Sequence, residues 1–414
     1  MYNKTLLHNG IKVISEQIPF FRSASIGIWI NAGSWDEKPE NCGISHFIEH
    51  ALFKGTEKLN ARQIAEIMDS VGGHLNAFTE KEQTSLYAKV VDTHIPLAIE
   101  ILADMLRNPK LDPEELEREK GVILEELRSY EDSPEEQAFE LFNQTLLGRH
   151  PLGYPILGHK EAVQNITRHE VVQYLEDKYR PENIMICAAG NVDHDKLMEL
   201  ADKHFGDMAK GNAKADQRTP ARIHHKNVTK YRKSEQTYLS VGGKGLSQKD
   251  PDKYIFFILD SILGGSMSSR LFQEVREKRG LVYSIFSFIN FYFNCGIFGI
   301  HAGCAEASYR QVLDLIKEIC DDLCDRGVTE EELTRAKEHI KGGILLALES
   351  TSNRMIRLAK SEIYHGRLVP VEEIVENVEK VTLNDVNEMS KRLLPYDNFS
   401  RVILGPVKKN TVKA

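Results

Sequence analysis

The chain has 414 residues, of which 41% are hydrophobic and 28% are charged, and its formal net charge is −8 at pH 7. This length predicts two domains of about 200 residues each, and the negative charge argues against a general nucleic-acid binder. No apolar run approaches the length of a transmembrane helix. We therefore expect a soluble protein that has neither nucleic acid nor a membrane as its partner.

The first predicted element is a β-hairpin near the start of the chain. Residues 5–14 place two apolar stretches around Asn9 and Gly10, a pair that is typical of a two-residue turn. Because the fold is expected to begin this early, we expect no signal or transit peptide. The six cysteines are scattered, which argues against a disulfide scaffold and fits a reducing cytoplasm.

The next element is a helix that contains His46-Phe47-Ile48-Glu49-His50. Histidines four residues apart stack on one helix face, so both imidazoles can reach one metal ion. Glu49 lies beside them and can take a proton from a water on that metal. The pattern is an inverted form of the zinc-peptidase motif. The alternative is an amphipathic helix with two solvated histidines.

A catalytic zinc ion usually has three protein ligands, and the third is sought in a helix predicted to begin after Asp112. Asp112 suits the N-cap, Pro113 suits the first helical position, and Glu115 completes a capping box. Glu119 and Glu126 are seven residues apart, almost two turns, and therefore share a face. From the residues alone, a solvated charged face is the favoured interpretation for either glutamate.

The chain also contains an internal repeat. Thr167 and Thr382 lie 215 residues apart in matching local sequences, and residues 115–120 match residues 332–337 at an offset of 217. We therefore predict an α+β fold with two homologous α/β-sandwich domains. Each domain is expected to be a mixed, largely antiparallel sheet with helices packed on one face.

A polar, irregular stretch near the middle of the chain sets the predicted domain boundaries. The N-terminal catalytic, zinc-binding domain covers residues 1–210, and a linker covers residues 211–235. The C-terminal domain covers residues 236–414 and is expected to bind substrate without a metal.

Three segments around the histidine motif, residues 31–37, 43–50 and 53–56, resemble the zinc-site region of the pitrilysin, insulinase and mitochondrial processing peptidase family. Over essentially its whole length, the chain is most similar to the catalytic β subunit of the processing peptidase and its bacterial relatives. One small departure is Ile48, where leucine is common. The resemblance implies a zinc metalloendopeptidase, like a processing protease, that hydrolyses unfolded polypeptides or oligopeptides in a closed chamber.

The same resemblance assigns the rest of the metal site. A family glutamate about 76 residues past the second histidine completes the zinc site, and that position is Glu126. A family glutamate seven residues earlier, here Glu119, supports the site without binding the metal. Glu49 is the expected general base. In the second copy the two later glutamates correspond to Ala336 and Gly343, so we expect one Zn²⁺ per chain.

Substrate contacts are also implied by the resemblance. An Arg and a Tyr seven residues apart contact bound substrate in the family, and they match Arg276 and Tyr283. The alternative is an amphipathic helix with a surface arginine and a packing tyrosine. A second segment is similar to an edge strand that binds peptide by β-augmentation, and an ordinary edge strand is a compatible alternative. Its residues are His74, Leu75, Asn76, Ala77 and Phe78, with His74 not a metal ligand.

Family members of this length associate as pairs, so the resemblance predicts a homodimer. Arg276 and Tyr283 of one subunit are expected to face the zinc of the other. Two other functions stay open: a non-catalytic structural or binding subunit of the same fold, and metal-dependent hydrolysis of a non-peptide substrate. The retention of the histidine motif together with Glu126 argues against the first of these, and the peptide-binding segments argue against the second.

Overall fold

The computed structural model of the protein describes residues 2–211 and 218–407. The chain forms two compact units, each assembled from several stretches of sequence. The first unit consists of Met1–Leu127, Tyr154–Arg218 and Ala347–Leu368, and the second of Arg128–Gly153, Thr219–Leu346 and Val369–Ala414. The predicted domains, 1–210 and 236–414, are continuous and differ from these units. Residues 212–217 of the predicted linker, 211–235, lie outside the described residues.

Each unit contains one β-sheet. The strands of the first sheet are β1 (Tyr2–Leu6), β2 (Lys12–Gln17), β3 (Ser23–Ile30), β4 (His74–Thr79), β5 (Thr84–Val91) and β6 (Ile184–Gly190). Those of the second are β7 (Asn227–Tyr231), β8 (Thr237–Lys244), β9 (Val282–Phe291), β10 (Gly296–Cys304) and β11 (Ser400–Gly405). Strand β7 lies inside the predicted linker, so part of that polar stretch is a strand.

The described residues also form α-helices. In chain order they are α1 (Ile44–Leu52), α2 (Ala61–Ser70), α3 (Ile95–Arg107), α4 (Pro113–Asp132), α5 (Pro134–Leu147), α6 (Lys160–Asn165), α7 (Arg168–Lys178), α8 (His194–Phe205), α9 (Lys253–Leu263), α10 (Tyr309–Asp325), α11 (Glu330–Ala347), α12 (Thr351–His365), α13 (Val371–Lys380) and α14 (Leu383–Leu393). Within the described ranges, no helix combines the length and the apolar character that crossing a bilayer requires.

The two sheets share one topology, which confirms the predicted duplication. The first has the order β1-β2-β6-β3-β5-β4, and the second has the order β7-β11-β8-β10-β9. All neighbours are antiparallel except one parallel pair in each sheet, β2 with β6 and β7 with β11. Strand β1 is an addition to the first sheet, and its pairing with β2 around Gly10, at φ +98°, confirms the predicted hairpin.

The first sheet is buried on both faces. One face packs against helices that include α1, α3 and α8. The prediction placed helices on one face, but α12 also covers the opposite face, where Met355 and Leu358 are buried against Trp29. The Trp29 indole donates to Met355 Sδ at 3.2 Å. A Cβ at Gly27 would stand 2.7 Å from the same sulfur and 2.8 Å from Trp29 Nε1, so a larger residue there would force these side chains to shift. Burial of an apolar side chain such as Met355 or Leu358 stabilises the unit by about 1.5–3 kcal/mol.

The second unit makes the reciprocal arrangement. Helix α5, which comes from the first half of the chain, packs against β8, β10 and β11. Its Phe139 ring stacks on His301 with centroids 4.0 Å apart, and Phe142 meets the Phe288 ring edge-on at 6.0 Å. Each sheet is therefore covered by a helix from the other half of the sequence. This exchange explains why the observed units are discontinuous.

Candidate metal centre

Helix α1 carries the histidine motif and is amphipathic: one face is apolar, and the two histidines lie on the other. Ile44, Phe47 and Ile48 are at most 1% exposed and belong to the core. The other face presents His46 and His50, whose ring centroids are 4.6 Å apart. The helix begins after Gly43, which adopts φ +96°, a left-handed conformation that favours glycine. The predicted stacking of the two imidazoles on one helix face is therefore confirmed.

Helix α4 brings a carboxylate to the same place. It begins at Pro113, and Asp112 accepts the backbone N–H of Glu114 at 3.0 Å, as expected for its N-cap. About one turn past its middle, Glu126 places Oε2 3.8 Å from His46 Nε2 and 3.7 Å from His50 Nε2. The structure therefore brings together the three side chains predicted to bind metal.

The donor set fits a catalytic zinc ion. One ligand atom from each of His46, His50 and Glu126 lies within 4.8 Å of the other two. Zinc bonds of about 2.1 Å at tetrahedral angles would place such atoms about 3.4 Å apart, close to the observed separations. Two imidazole nitrogens and one carboxylate oxygen leave a fourth position open for water. In the described part of the chain, no other group of three His, Cys, Asp or Glu side chains has this spacing.

Glu119 contacts the ring nitrogen of His50 that does not face Glu126. His50 Nδ1 lies 2.8 Å from Glu119 Oε1, and Lys54 Nζ lies 2.6 Å from Oε2. Burial works to raise the pKa of Glu119, but the bonds to His50 and Lys54 hold that pKa below its usual value. The ionised carboxylate can accept the Nδ1–H proton of His50. The Nε2 lone pair of His50 then faces Glu126, as a metal ligand requires.

The charge states of the other two titratable side chains on α1, His46 and Glu49, also suit a metal site. Burial, helped by the charge of His50, lowers the pKa of His46 to about 4, so His46 is neutral near pH 7 and can donate its lone pair. Burial raises the pKa of Glu49, although the hydroxyl of Thr79 opposes this by donating to Glu49 Oε2 at 2.6 Å. A carboxylate with a raised pKa is a better proton acceptor.

Strand β4 forms one edge of the first sheet and ends beside Glu49. In the described part of the chain it pairs only with β5. His74 and Asn76 are exposed and Ala77 is buried. The Phe78 ring packs edge-on against Trp29 at 5.4 Å. Leu75 is half-buried on the same strand. The segment is thus the predicted edge strand, and its free backbone edge leads towards Glu49.

Arg276 and Tyr283 lie in the second unit. Arg276 sits in a π-helical turn, Phe272–Glu277, with its guanidinium 4.6 Å from the Phe272 ring centroid. The turn closes where the Gly280 N–H donates to the Arg276 carbonyl at 2.9 Å. Tyr283 follows at the start of β9 and is 78% exposed. Its ring is therefore available for contact, and the alternative of a packing tyrosine does not hold.

Two residues that contact the site were not predicted. Thr79 bonds Glu49, and Lys54 bonds Glu119. A hydroxyl at a strand end and an ammonium just past a helix end follow no periodic pattern, so no motif points to them. The available signal was their position: Lys54 lies within the segments that resemble the peptidase family, and Thr79 directly follows the predicted edge strand.

The chain is similar to known proteins in sequence. Residues 12–160 match a family described as insulinase, peptidase family M16, and residues 165–340 match one described as the peptidase M16 inactive domain. The chain is 39% identical to the uncharacterized zinc protease YmxG of Bacillus subtilis, with 98% of each chain covered. It is 37% identical to the uncharacterized zinc protease SCO5738 of Streptomyces coelicolor, over 98% of this chain and 90% of the relative.

Solved structures share the fold. A peptidase M16 inactive domain from Pseudomonas fluorescens superposes with a TM-score of 0.92 at 21% identity, covering 99% of this chain and 98% of the other. A protease from Helicobacter pylori superposes with a TM-score of 0.90 at 23% identity, covering 98% and 99%. Both likenesses support the two-unit α+β architecture.

Proposed function

Because the chain belongs to the insulinase family of peptidases, family M16, we propose that it is a zinc-dependent metalloendopeptidase. The observation that carries the proposal is the convergence of His46, His50 and Glu126 beside Glu49. A subunit that had lost catalysis would have no need of all four side chains. The substrate we propose is an unfolded polypeptide or an oligopeptide that enters a closed chamber.

The chemistry we propose uses the side chains of α1 and α4. His46, His50 and Glu126 would hold one zinc ion, which when bound would lower the pKa of a water towards about 7 and polarise the scissile carbonyl. Glu49 Oε2 is engaged by the Thr79 hydroxyl, which leaves Oε1 to accept a proton from the attacking water. Glu49 then passes that proton to the amine nitrogen that leaves.

The free edge of β4 supports an extended peptide as the substrate. On the side away from β5, the backbone N–H and C=O groups of alternate residues between His74 and Phe78 can pair with a substrate strand whatever its sequence. Such a strand would replace the Asn76 side-chain oxygen as the acceptor of the Ala77 N–H. Because Thr79 at the end of this strand contacts Glu49, a peptide that continues the sheet would bring its backbone to the proposed base. Arg276 and Tyr283 would add hydrogen bonds to substrate carbonyls.

We place the enzyme in the bacterial cytoplasm. The similar relatives come from bacteria, and none of the six cysteines, all within the described residues, forms a disulfide, as expected in a reducing compartment.

A peptide library tests the proposed reaction. We expect the wild type to cleave internal bonds of unstructured peptides of mixed sequence, and we expect Glu49→Gln to cleave them at least about 100-fold more slowly, because the proton acceptor is gone. Mass spectrometry of the products would also show the cleavage preference. Binding of peptides without cleavage by the wild type would instead indicate a binding subunit. Turnover of esters or other non-peptide substrates alone would indicate a different hydrolase.

We also propose a homodimer in which Arg276 and Tyr283 of one subunit serve the zinc of the other. Mixing Glu49→Gln with Arg276→Ala chains should then restore activity, because each heterodimer has one intact site. With random pairing, about a quarter of the wild-type rate is expected. The matched control mixes Glu49→Gln with Glu126→Gln, which damages the metal side of both sites and should restore nothing. Inactive mixtures that nevertheless contain heterodimers would refute sharing between subunits.

A further inference from the structure

The helix that carries the histidine motif is capped by a buried carboxylate from outside the helix. Its N-cap, Gly43, has no side chain to satisfy the free backbone N–H groups of the first turn. Glu37 does so with both oxygens: Oε2 accepts the Gly43 N–H at 2.7 Å, and Oε1 accepts the Ser45 N–H at 2.9 Å. The Glu37 side chain is only 4% exposed.

This cap acts on the turn that holds a proposed zinc ligand. Ser45 directly precedes His46, so the backbone that Glu37 grips is the backbone from which that imidazole projects. A carboxylate at a helix N-terminus also interacts favourably with the helix dipole. With nine residues, α1 is too short to be stable by itself, so its end depends on such contacts.

The same turn has a second buried anchor. The Ser45 hydroxyl hydrogen-bonds the Tyr174 hydroxyl of α7 at 2.8 Å. The turn is therefore held from the Glu37 loop on one side and from α7 on the other.

The loop that carries Glu37 is itself fixed. The Arg218 guanidinium donates to Asp36 Oδ2 at 2.7 Å and to the Glu82 carbonyl at 2.7 Å. It also lies 5.7 Å from the Trp35 ring centroid. The Arg218 side chain is only 6% exposed, and Asp36 in turn accepts the Gly33 N–H at 3.1 Å. Glu37, the residue after Asp36, therefore projects from a restrained backbone. Its carboxylate can define where α1 begins.

We propose that Glu37 is a positioning residue of the metal centre: by gripping the first turn of α1, it holds His46 in register with His50 and Glu126. The inference rests on the proposed function, because it assumes that these three side chains bind zinc. It adds a residue that neither binds the metal nor contacts substrate. Loss of the grip would let the first turn fray, and zinc binding would then have to reorder it.

The test compares zinc affinity in Glu37→Gln and Glu37→Asp with the wild type, by competition with a chromophoric chelator. Burial raises the pKa of Glu37 to about 7 against the backbone hydrogen bonds that lower it, so the carboxylate is ionised at about pH 8, where the assay is made. Glu37→Gln should bind zinc roughly tenfold more weakly, as expected for loss of a helix cap that supports a ligand. With zinc in excess, the metal reorders the turn, so kcat and KM should both return close to their wild-type values.

Glu37→Asp separates position from charge. It keeps the negative charge but is too short to reach both N–H groups, so it should also weaken zinc binding. If Glu37→Gln does not fold, the zinc affinity of Glu37→Asp alone tests whether Glu37 positions the metal centre. The matched control is Glu170→Gln, which removes a glutamate that accepts the Thr167 N–H at 2.8 Å at the start of α7. That variant should lose stability and keep wild-type zinc affinity.

Wild-type zinc affinity in folded Glu37→Asp would overturn the inference and leave the proposed function intact. An equal loss in Glu170→Gln would overturn it too, by reducing the effect to general stability. Absence of zinc binding in the wild type would defeat the proposed function and the inference together.

Discussion

Glu49→Gln is expected to lower kcat by about 10²- to 10⁴-fold, the range that a general base contributes, and to leave zinc content unchanged. The amide is almost the same size as the carboxylate but cannot take a proton from water. Its carbonyl oxygen can still accept the Thr79 hydroxyl, which now donates to Glu49 at 2.6 Å, so the local structure should persist. The measurements are steady-state kinetics on a fluorogenic peptide and elemental analysis of the purified protein.

The control for this variant is Glu40→Gln. It makes the same chemical change on an exposed glutamate in the loop before α1 and should leave kcat within a factor of about two. Turnover near the wild-type level in Glu49→Gln would show that another group accepts the proton. Loss of zinc together with turnover would mean that Glu49 is part of the metal binding itself.

Glu126→Gln should behave differently, losing the metal and the activity together. The substitution removes the only anionic donor among the three proposed ligands and leaves two neutral imidazoles. We expect zinc affinity to fall by more than about 100-fold, beyond what loss of a supporting residue costs. Chelator competition measures the affinity, and thermal unfolding with and without zinc shows whether binding still stabilises the fold.

Glu125→Gln is the matched control, because it changes the exposed neighbour of Glu126 on the same helix. It should keep both zinc and turnover. Full zinc content in Glu126→Gln would remove this residue from the ligand set. The two variants together are diagnostic, since only the proposed roles make Glu49→Gln inactive with metal and Glu126→Gln inactive without it.

The local parts of the site could be predicted because their causes are local. The i and i+4 spacing of His46 and His50 forces them onto one helix face, and the Asp112-Pro113 cap marks where α4 begins. The role of Glu126 was not visible in the same way. Helical periodicity alone favours a solvated glutamate there, and only the family resemblance selected it.

The parts that escaped prediction depend on which segments meet in space. Periodicity shows that α5 and α12 have an apolar face, but it does not show which sheet that face covers. Helix α12 covers the first sheet and α5 covers the second because each sheet has a second apolar surface, such as that around Trp29. The bond between Thr79 and Glu49 has the same origin, since it depends on β4 ending beside α1.

The exchange has a consequence for how the chain matures on the ribosome. Trp29 contacts Met355, which is 326 residues away in sequence. The face of the sheet that carries Trp29 can therefore be covered only after Met355 has been synthesised. The unit that carries the histidine motif is therefore completed only when nearly all of the chain has been translated, although domains generally fold as they emerge. An unfinished or truncated chain would present an exposed apolar surface to chaperones and degradation. The architecture thereby delays completion of the unit that carries the proposed metal site until synthesis is almost over.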